Sequence, residues 1–468
     1  MTILKEDSPK SFLEIERAGS VYRPVEERLA DWSEVERRLD RETIHRQTAR
    51  CINCGIPYCH GSGCPFGNRI PDFNRAVRTG DLRLAWDILS ETSPFPEFTS
   101  RICPALCEAS CSAGPEFGAV TIRQIEKTIV ETAFERGWVE PDAPRRVGRR
   151  VAVIGSGPAG LAAAQSLNRR GYTVTVFEKE KRPGGLLRYG IPEFKLEKRV
   201  IDRRLRLMRE SGIEFVCSTR VGIDISPDYL LRKNDALVVA TGTPTPRDLD
   251  IPGRELKGIH FALELLGGQN RYLGGDIAAP PVSAKGKRVV IIGGGDTGSD
   301  CLGTALRQGA LSVLQIEIMP KPPVDRSPST PWPQWPYMLR TSSSHLEGGG
   351  RRWSLLSKRF LGSEKEGEKR VEGIEVYPVD WSFDDRGKPL RFVPKNDDPE
   401  IISCDLVLLA LGFLKPDPQS PESEFRLQGR ENVFYCGDAA TGPSLVVRAA
   451  AGGLDTAEKL DSFFRSGK

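Results

Sequence analysis

The sequence predicts a multidomain α+β chain, helical and cysteine-rich at its N-terminus and then built from two α/β units. Three observations carry this reading. Seven of the eleven cysteines fall between residues 51 and 111. An apolar run enters a glycine turn and a helix at 149–180, RRVAVIGSGPAGLAAAQSLNRRGYTVTVFEKE. The same pattern recurs from residue 287, KRVVIIGGGDTGSDCLGTALRQGALSVLQIEIMP. At roughly 150 residues per domain, 468 residues leave room for about three domains.

Composition narrows the class. The 67 basic and 63 acidic residues nearly balance, at a net charge of +4, so neither nucleic acid nor a membrane surface is an expected partner. No apolar run approaches the roughly 18 residues of a membrane span, and the first twenty residues lack a signal-peptide core. The expectation is a cytoplasmic protein, in a reducing compartment where clustered cysteines serve metals or redox chemistry more often than disulfides.

In the N-terminal region, EVERRLDRETIHRQTARC (34–51) and IRQIEKTIVETAFERGW (122–138) place apolar residues at helical spacing. Thr121 is the expected N-cap of the second and Gly137 its stop. No strand alternation stands out here. The cysteines read C-x2-C-x4-C-x4-C (Cys51, Cys54, Cys59, Cys64) and C-x3-C-x3-C (Cys103, Cys107, Cys111). Zinc ribbons use two CxxC-type pairs, and seven thiols overfill one zinc site and underfill two. A redox dithiol beside a flavin needs a CxxC in the second α/β unit, which offers only Cys301. Iron–sulfur clusters remain, held by thiolates often followed by proline, as in Cys64-Pro65 and Cys103-Pro104. Two [4Fe–4S] clusters need eight ligands, one more than these cysteines supply.

In the first α/β unit, Val151–Ile154 lead into Gly155-Ser-Gly157-Pro158-Ala159-Gly160. The first glycine permits the tight turn, the second admits a pyrophosphate, and the third lets the helix pack on the strand. The phosphates then sit on free N–H groups at the helix N-terminus. Glu178 closes the following strand, where a carboxylate can accept ribose hydroxyls. In the second unit, Val289–Ile292 lead into Gly293, Gly294, Gly295, Asp296, Thr297 and Gly298, and its next strand ends near Glu317. Two such Rossmann-like sites on one chain imply hydride traffic between two cofactors. DALVVATGT (235–243) and CDLVLLALGF (404–413) read as matching buried strands, one for each unit. Residues 321–370 read as long loops and hairpin connections. Near the C-terminus, strand VFYC runs into Gly437-Asp438 and a helix, so that this segment and the first unit could close one flavin domain around the second unit.

These motifs carry a resemblance. C-x2-C-G-x-P-x-C, the Asn68-x-Ile70-Pro71 that follows, PEFTSRICP (96–104), CEASC (107–111), GGLLRYGIPEFKLEK (184–198) and GGGDTGSDCLGTALRQGA (293–310) resemble the small (beta) subunits of NADPH-dependent glutamate synthases. The N-terminal region also resembles that of dihydropyrimidine dehydrogenase. The resemblance implies a helical domain binding two [4Fe–4S] clusters over 1–145, an FAD-binding domain over 146–255 and 420–468, and an NADPH-binding domain inserted at 256–419. It implies that Cys51, Cys54, Cys59 and Cys111 ligate one cluster, and that Cys64, Cys103, Cys107 and Glu126 ligate the other. It carries FAD contacts onto Gly155, Gly157, Pro158, Ala159, Gly160, Glu178, Gly185, Leu186, Lys195, Val221, Gly437 and Asp438. Nicotinamide-nucleotide contacts fall on Gly294, Gly295, Asp296, Thr297 and Gly412. Arg326, with Lys321, is the expected partner of a 2′-phosphate, whereas Glu317 suits an unphosphorylated ribose and leaves NADH open.

Hydride transfer between nicotinamide and flavin needs no side-chain acid, base or nucleophile, and none is assigned. The expected activity is electron input: NADPH is oxidised through FAD, and electrons pass by the clusters to a large (alpha) subunit that turns L-glutamine and 2-oxoglutarate into two L-glutamate. A hetero-oligomer follows. The alternative is a stand-alone NAD(P)H:ferredoxin-type oxidoreductase built from the same module.

Overall fold

The fold was analysed in a computed structural model, which describes residues 10–365, 367–395, 398–414, 427 and 429–466. The expected boundary at 419–420 and the first nine residues of the expected N-terminal domain lie outside the described residues.

Helices Arg41–Ala49, Ile70–Arg78, Leu82–Thr92, Pro96–Ile102 and Ile122–Glu135 form most of the N-terminal part. All but Pro96–Ile102 turn their apolar faces onto Ile44, Ile70, Phe73, Leu89, Ile125 and Ile129, each buried. At about 1.5–3 kcal/mol per buried large apolar side chain, this packing stabilises segments too short to be helical alone. Asp40 and Asp81 cap two of the helices, accepting from Thr43 N at 2.8 Å and Leu84 N at 2.9 Å. Thr121 does occupy the N-cap position of Ile122–Glu135, but its hydroxyl donates to Ala18 O at 2.7 Å instead of capping. Gly137, at φ +70°, follows the helix end.

Residues 34–51 depart from the expected single helix. Glu36–Arg37 pairs antiparallel with Val21–Tyr22, and the helix starts only at Arg41. The Glu36 carboxylate is drawn into an ion-pair cluster with Arg123 and Lys127, so tertiary charge overrides the helical period here.

Two five-stranded sheets, parallel throughout, follow. The first has the order Val433–Tyr435, Ala236–Val239, Arg150–Ile154, Thr173–Phe177, Glu214–Val216. The second has the order Gly350–Arg352, Ser312–Ile316, Arg288–Ile292, Leu406–Leu409, Ile259–Phe261. In each, the strand before the glycine turn lies at the centre, between the strand that ends in an acid and the strand that ends in alanine. One edge strand of the first sheet, Val433–Tyr435, arrives after the whole second sheet has been laid down.

A third, antiparallel sheet comprises Leu355–Lys365, Glu368–Phe383, Pro389–Pro394 and Glu400–Ser403. It replaces the later part of the loops expected over 321–370. Leu355, Phe360, Val371, Ile374 and Val376 bury one face of it against Ile316, Val407 and Leu409 of the second sheet. Among the described residues, no helix is long and apolar enough to cross a membrane.

The helical part docks on the first α/β unit. Phe95 and Phe98 enter the core formed by Leu161, Ile201 and Leu205. Beside them the buried Glu97 carboxylate takes two hydrogen bonds from Arg204, at 2.6 and 3.1 Å. Burial works against the charge of Glu131, but Arg203 and Arg101 outweigh it and hold the carboxyl at about 2.

Candidate functional site

The first glycine turn joins Arg150–Ile154 to the helix Pro158–Arg169. Gly155 sits at φ +102°, and a Cβ there would meet Ala240 O at 2.5 Å. A Cβ on Gly160 would strike Gly155 O, which is the close helix–strand approach the motif requires. Gly157 faces open space and is free to admit a ligand. The buried Glu178 carboxylate accepts from Ser156 N at 3.1 Å, from the Ser156 hydroxyl, and from Glu180 N at 2.9 Å. Ser156 Oγ also accepts from Gly184 N at 2.9 Å, which ties the turn to the Gly184–Gly185 loop. Sequence reasoning passed over Ser156; its position inside the glycine motif was the available signal.

The remaining residues of this unit fall around that turn or apart from it. A Cβ on Gly185 would approach Gly157 Cα to 2.7 Å, so these two backbones touch. Leu186 is about half exposed beside them. Gly437, at φ +58°, packs against Ala159, and Asp438 opens the next short helix and accepts from Ser444 Oγ at 2.5 Å. Burial raises the Asp438 carboxyl, with Ser444 opposing. Val221 is buried in a core with Ile154 and Phe177. Lys195 reaches across to the second unit and pairs with Asp300.

The second turn repeats the first in detail. Gly293, at φ +122°, leaves no room for a Cβ against Ala410 O, as Gly155 leaves none against Ala240 O. Glu317 accepts from Gly294 N at 2.5 Å and from Met319 N at 3.1 Å, matching Glu178. Gly295 faces open space, and Asp296 and Thr297 begin the helix Asp296–Arg307. Thr297, Ala410, Gly412, Phe261 and Arg271 line one cleft. Arg326 is not drawn to the glycine turn: its guanidinium donates to the carbonyls of Thr330, Gln334 and Ala109 at 3.1, 2.6 and 3.0 Å. Lys321 lies over the Trp353 ring.

Behind the second turn is a network that the sequence did not single out. Gln315 Nε2 donates to Gly293 O at 2.7 Å, and Gln315 Oε1 lies 2.8 Å from His345 Nε2. That oxygen can only accept, so His345 carries its proton on Nε2 and accepts at Nδ1 from Ser342 N at 3.2 Å. Burial, with the charges of Arg351 and Lys195, lowers the imidazole to about 4.

The cysteines gather in two groups. Cys51, Cys54, Cys59 and Cys111 line one cavity together with Asn74. Burial raises the Cys59 thiol to about 12, and the charges of Cys111, Cys51 and Cys54 add to it. Burial also lifts Cys51 and Cys111, and each feels its neighbours in the same group. In the other group, burial raises Cys64 to about 12 and Cys103 to about 11, with the charge of Glu126 adding to both. Cys107 is pushed well above its ordinary value by burial, then by Glu126 and Glu108, with Cys64 and Cys103 adding. Glu126 is itself buried and raised to about 7 by that burial; Asn68 Nδ2, donating to its Oε1 at 2.9 Å, opposes the shift. Cys51, Cys54, Cys59 and Cys111 thus share one cavity, and Cys64, Cys103 and Cys107 lie near Glu126. Four thiols lining one cavity are a donor set that suits an iron–sulfur cluster. The separate cysteines differ: Cys301, Cys404 and Cys436 are buried core residues and Cys217 is half-buried.

The paired nucleotide turns and the thiol-rich domain define a pyridine-nucleotide oxidoreductase with an iron–sulfur domain. Residues 28–138 match the family described as dihydropyrimidine dehydrogenase domain II, 4Fe-4S cluster, and residues 149–329 match pyridine nucleotide-disulphide oxidoreductase. The chain is 48% identical to the glutamate synthase [NADPH] small chain of Mycobacterium tuberculosis, over 94% of this chain and 92% of that one. It is 38% identical to the Bacillus subtilis protein of the same name, over 97% and 98%. It also matches the glutamate synthase [NADH] of Saccharomyces cerevisiae at 40% identity, over 98% of this chain and 22% of that much longer protein. Among solved structures, FprA of Mycobacterium tuberculosis in complex with NADPH is similar in fold, with a TM-score of 0.53 at 19% identity, over 68% of this chain and 85% of that one. The chain belongs to the family of glutamate synthase small chains.

Proposed function

We propose that this chain is the electron-input subunit of a glutamate synthase, oxidising NADPH through FAD and passing electrons by two [4Fe–4S] clusters to a large subunit. What supports this reading is four thiols around one cavity and three more near Glu126, in a chain that also carries two glycine turns of nucleotide-binding shape. FAD bound there would supply two-electron hydride chemistry, and [4Fe–4S] clusters one-electron transfer.

The chain's own residues bind and orient. Gly155, Gly157 and Gly160 open the first turn, with Pro158 and Ala159 starting its helix, to the FAD pyrophosphate. Glu178, held by Ser156, faces its ribose. Gly185, Leu186, Gly437 and Asp438 border the remainder of that cofactor. Gly294, Gly295, Asp296 and Thr297 receive the NADPH pyrophosphate, with Gly412 across the cleft. The domain limits follow the sheets: a cluster-binding part to about residue 145, an FAD-binding part completed by the C-terminal strand and helix, and an NADPH-binding part inserted between. Ile52 and Ile56, exposed beside Cys51 and Cys54, suit the approach of a protein partner.

Anaerobic titration of the purified chain with NADPH, and separately with NADH, tests the reading. Bleaching of the flavin by NADPH, and glutamate formation only after the large subunit is added, are expected. Flavin that never bleaches would contradict the reading. Rapid reduction of ferredoxin by the chain alone, with no coupling to a large subunit, would instead favour the stand-alone oxidoreductase.

A further inference from the structure

The helix Ile70–Arg78 turns its first residues, Ile70 and Pro71, toward the cavity lined by Cys51, Cys54, Cys59 and Cys111. Asn74, one turn further on, lies on the same side and lines the same cavity. It is 1% exposed, and neither Nδ2 nor Oδ1 has a hydrogen-bond partner of ordinary geometry. Buried amides are almost always hydrogen-bonded, and one left without a protein partner calls for an explanation. The contrast with Asn68 is direct. Asn68 serves the other set, and both ends of its amide are occupied: Nδ2 donates to Glu126 at 2.9 Å, and Oδ1 accepts from Thr92 at 2.8 Å.

We propose that the Asn74 amide donates a hydrogen bond to a sulfur of the iron–sulfur cluster held by Cys51, Cys54, Cys59 and Cys111, and thereby raises that cluster's reduction potential. This rests on the reading of those four cysteines as cluster ligands. A donor aimed at sulfur stabilises the more negative, reduced state, and hydrogen bonds to sulfur are among the levers that set cluster potentials. Asn74 is a positioning and tuning residue that takes no part in bond changes.

The test uses the full chain purified anaerobically, as wild type and as Asn74→Leu. Resonance Raman spectra of the oxidised protein are recorded in H2O and D2O, and the cluster potentials are titrated. The leucine variant should hold as much iron as the wild type, lose part of the deuterium shift of its Fe–S(Cys) bands, and show a lowered potential for one cluster only. Full iron content with unchanged deuterium shifts would overturn the proposal. If the leucine variant does not retain iron, Asn74→Ala is read in the same way. Wild type that holds no iron would overturn the cluster reading itself, which is a different outcome from an iron-replete variant with unaltered spectra.

Discussion

Lys195 is ion-paired with Asp300, joining the segment between the helices Gly185–Tyr189 and Lys198–Glu210 of the first unit to the helix that follows the second glycine turn. Asp300 is buried and Lys195 only slightly open to solvent, so neither charge is well served by water. Asn270 reinforces the junction by donating to Ile191 O at 3.0 Å, and Arg271 by donating to Glu180 at 2.9 Å. The Lys195 ammonium, expected by resemblance to contact FAD, also helps to fix how the two units meet.

Removing one partner strands the other. Asp300→Asn should therefore destabilise the chain by about 3 kcal/mol, the lower end of the range for breaking a buried pair, because Lys195 keeps some solvent. A Lys195→Met, Asp300→Leu double variant should recover much of that loss. Thermal unfolding of the three proteins checks this, and an Asp300→Asn variant as stable as the wild type would refute it.

The two glycine turns should fail separately. Gly155→Ala sets a Cβ against Ala240 O in a backbone conformation that disfavours any side chain, and should lower FAD content. Gly298→Ala sets one against Gly293 O and the Gln315 amide, and should leave FAD bound while slowing flavin reduction by NADPH more than tenfold. Flavin content by absorbance and stopped-flow reduction separate the two. Equal flavin loss in both variants would contradict the assignment of the turns.

His345 gives a pH signature. Its folded value of about 4 lies below the ordinary 6.5, so the unfolded chain takes up the proton first as pH falls. Stability contributed by the neutral ring is present above about 6.5 and is lost progressively toward about 4. The melting temperature of the wild type should fall more steeply between pH 7 and 5 than that of His345→Gln. Parallel curves would show that the ring does not carry this dependence.

Much of the nucleotide-binding architecture was legible because its signals are local. An apolar run, a glycine turn and a terminal acid identify Arg150–Ile154 with Glu178, and Arg288–Ile292 with Glu317, without knowledge of the rest of the fold. The antiparallel sheet was not legible in this way. Glu368–Phe383 is half-buried with an irregular alternation, and what makes it a strand is its packing on the second sheet, contributed by residues distant in sequence. Glu36–Arg37 was misread as helix for a similar reason, since its partners Val21, Tyr22 and Arg123 lie outside any local window. Cysteine spacing alone left the division of ligands open; Cys111 joins Cys51 through the fold, across 60 residues. Asn74 carries no signal in sequence, because an asparagine in an amphipathic helix reads as an exposed residue.

On the proposed reading, Glu126 supplies the one ligand that is not a thiolate. Glu126→Ala should leave the set of Cys51, Cys54, Cys59 and Cys111 loaded and weaken retention of iron at the other. Iron analysis before and after gel filtration with a chelator checks this. Unchanged retention would remove Glu126 from the ligand set.

The central proposal is that these eight side chains hold two [4Fe–4S] clusters in a chain that also binds one FAD. Iron, acid-labile sulfide and FAD per chain, measured together on anaerobically purified wild-type protein, test it most directly. About eight irons, about eight sulfides and about one FAD are expected from two [4Fe–4S] clusters and one flavin site. A chain that carries zinc in their place, or flavin with no iron, would contradict the claim.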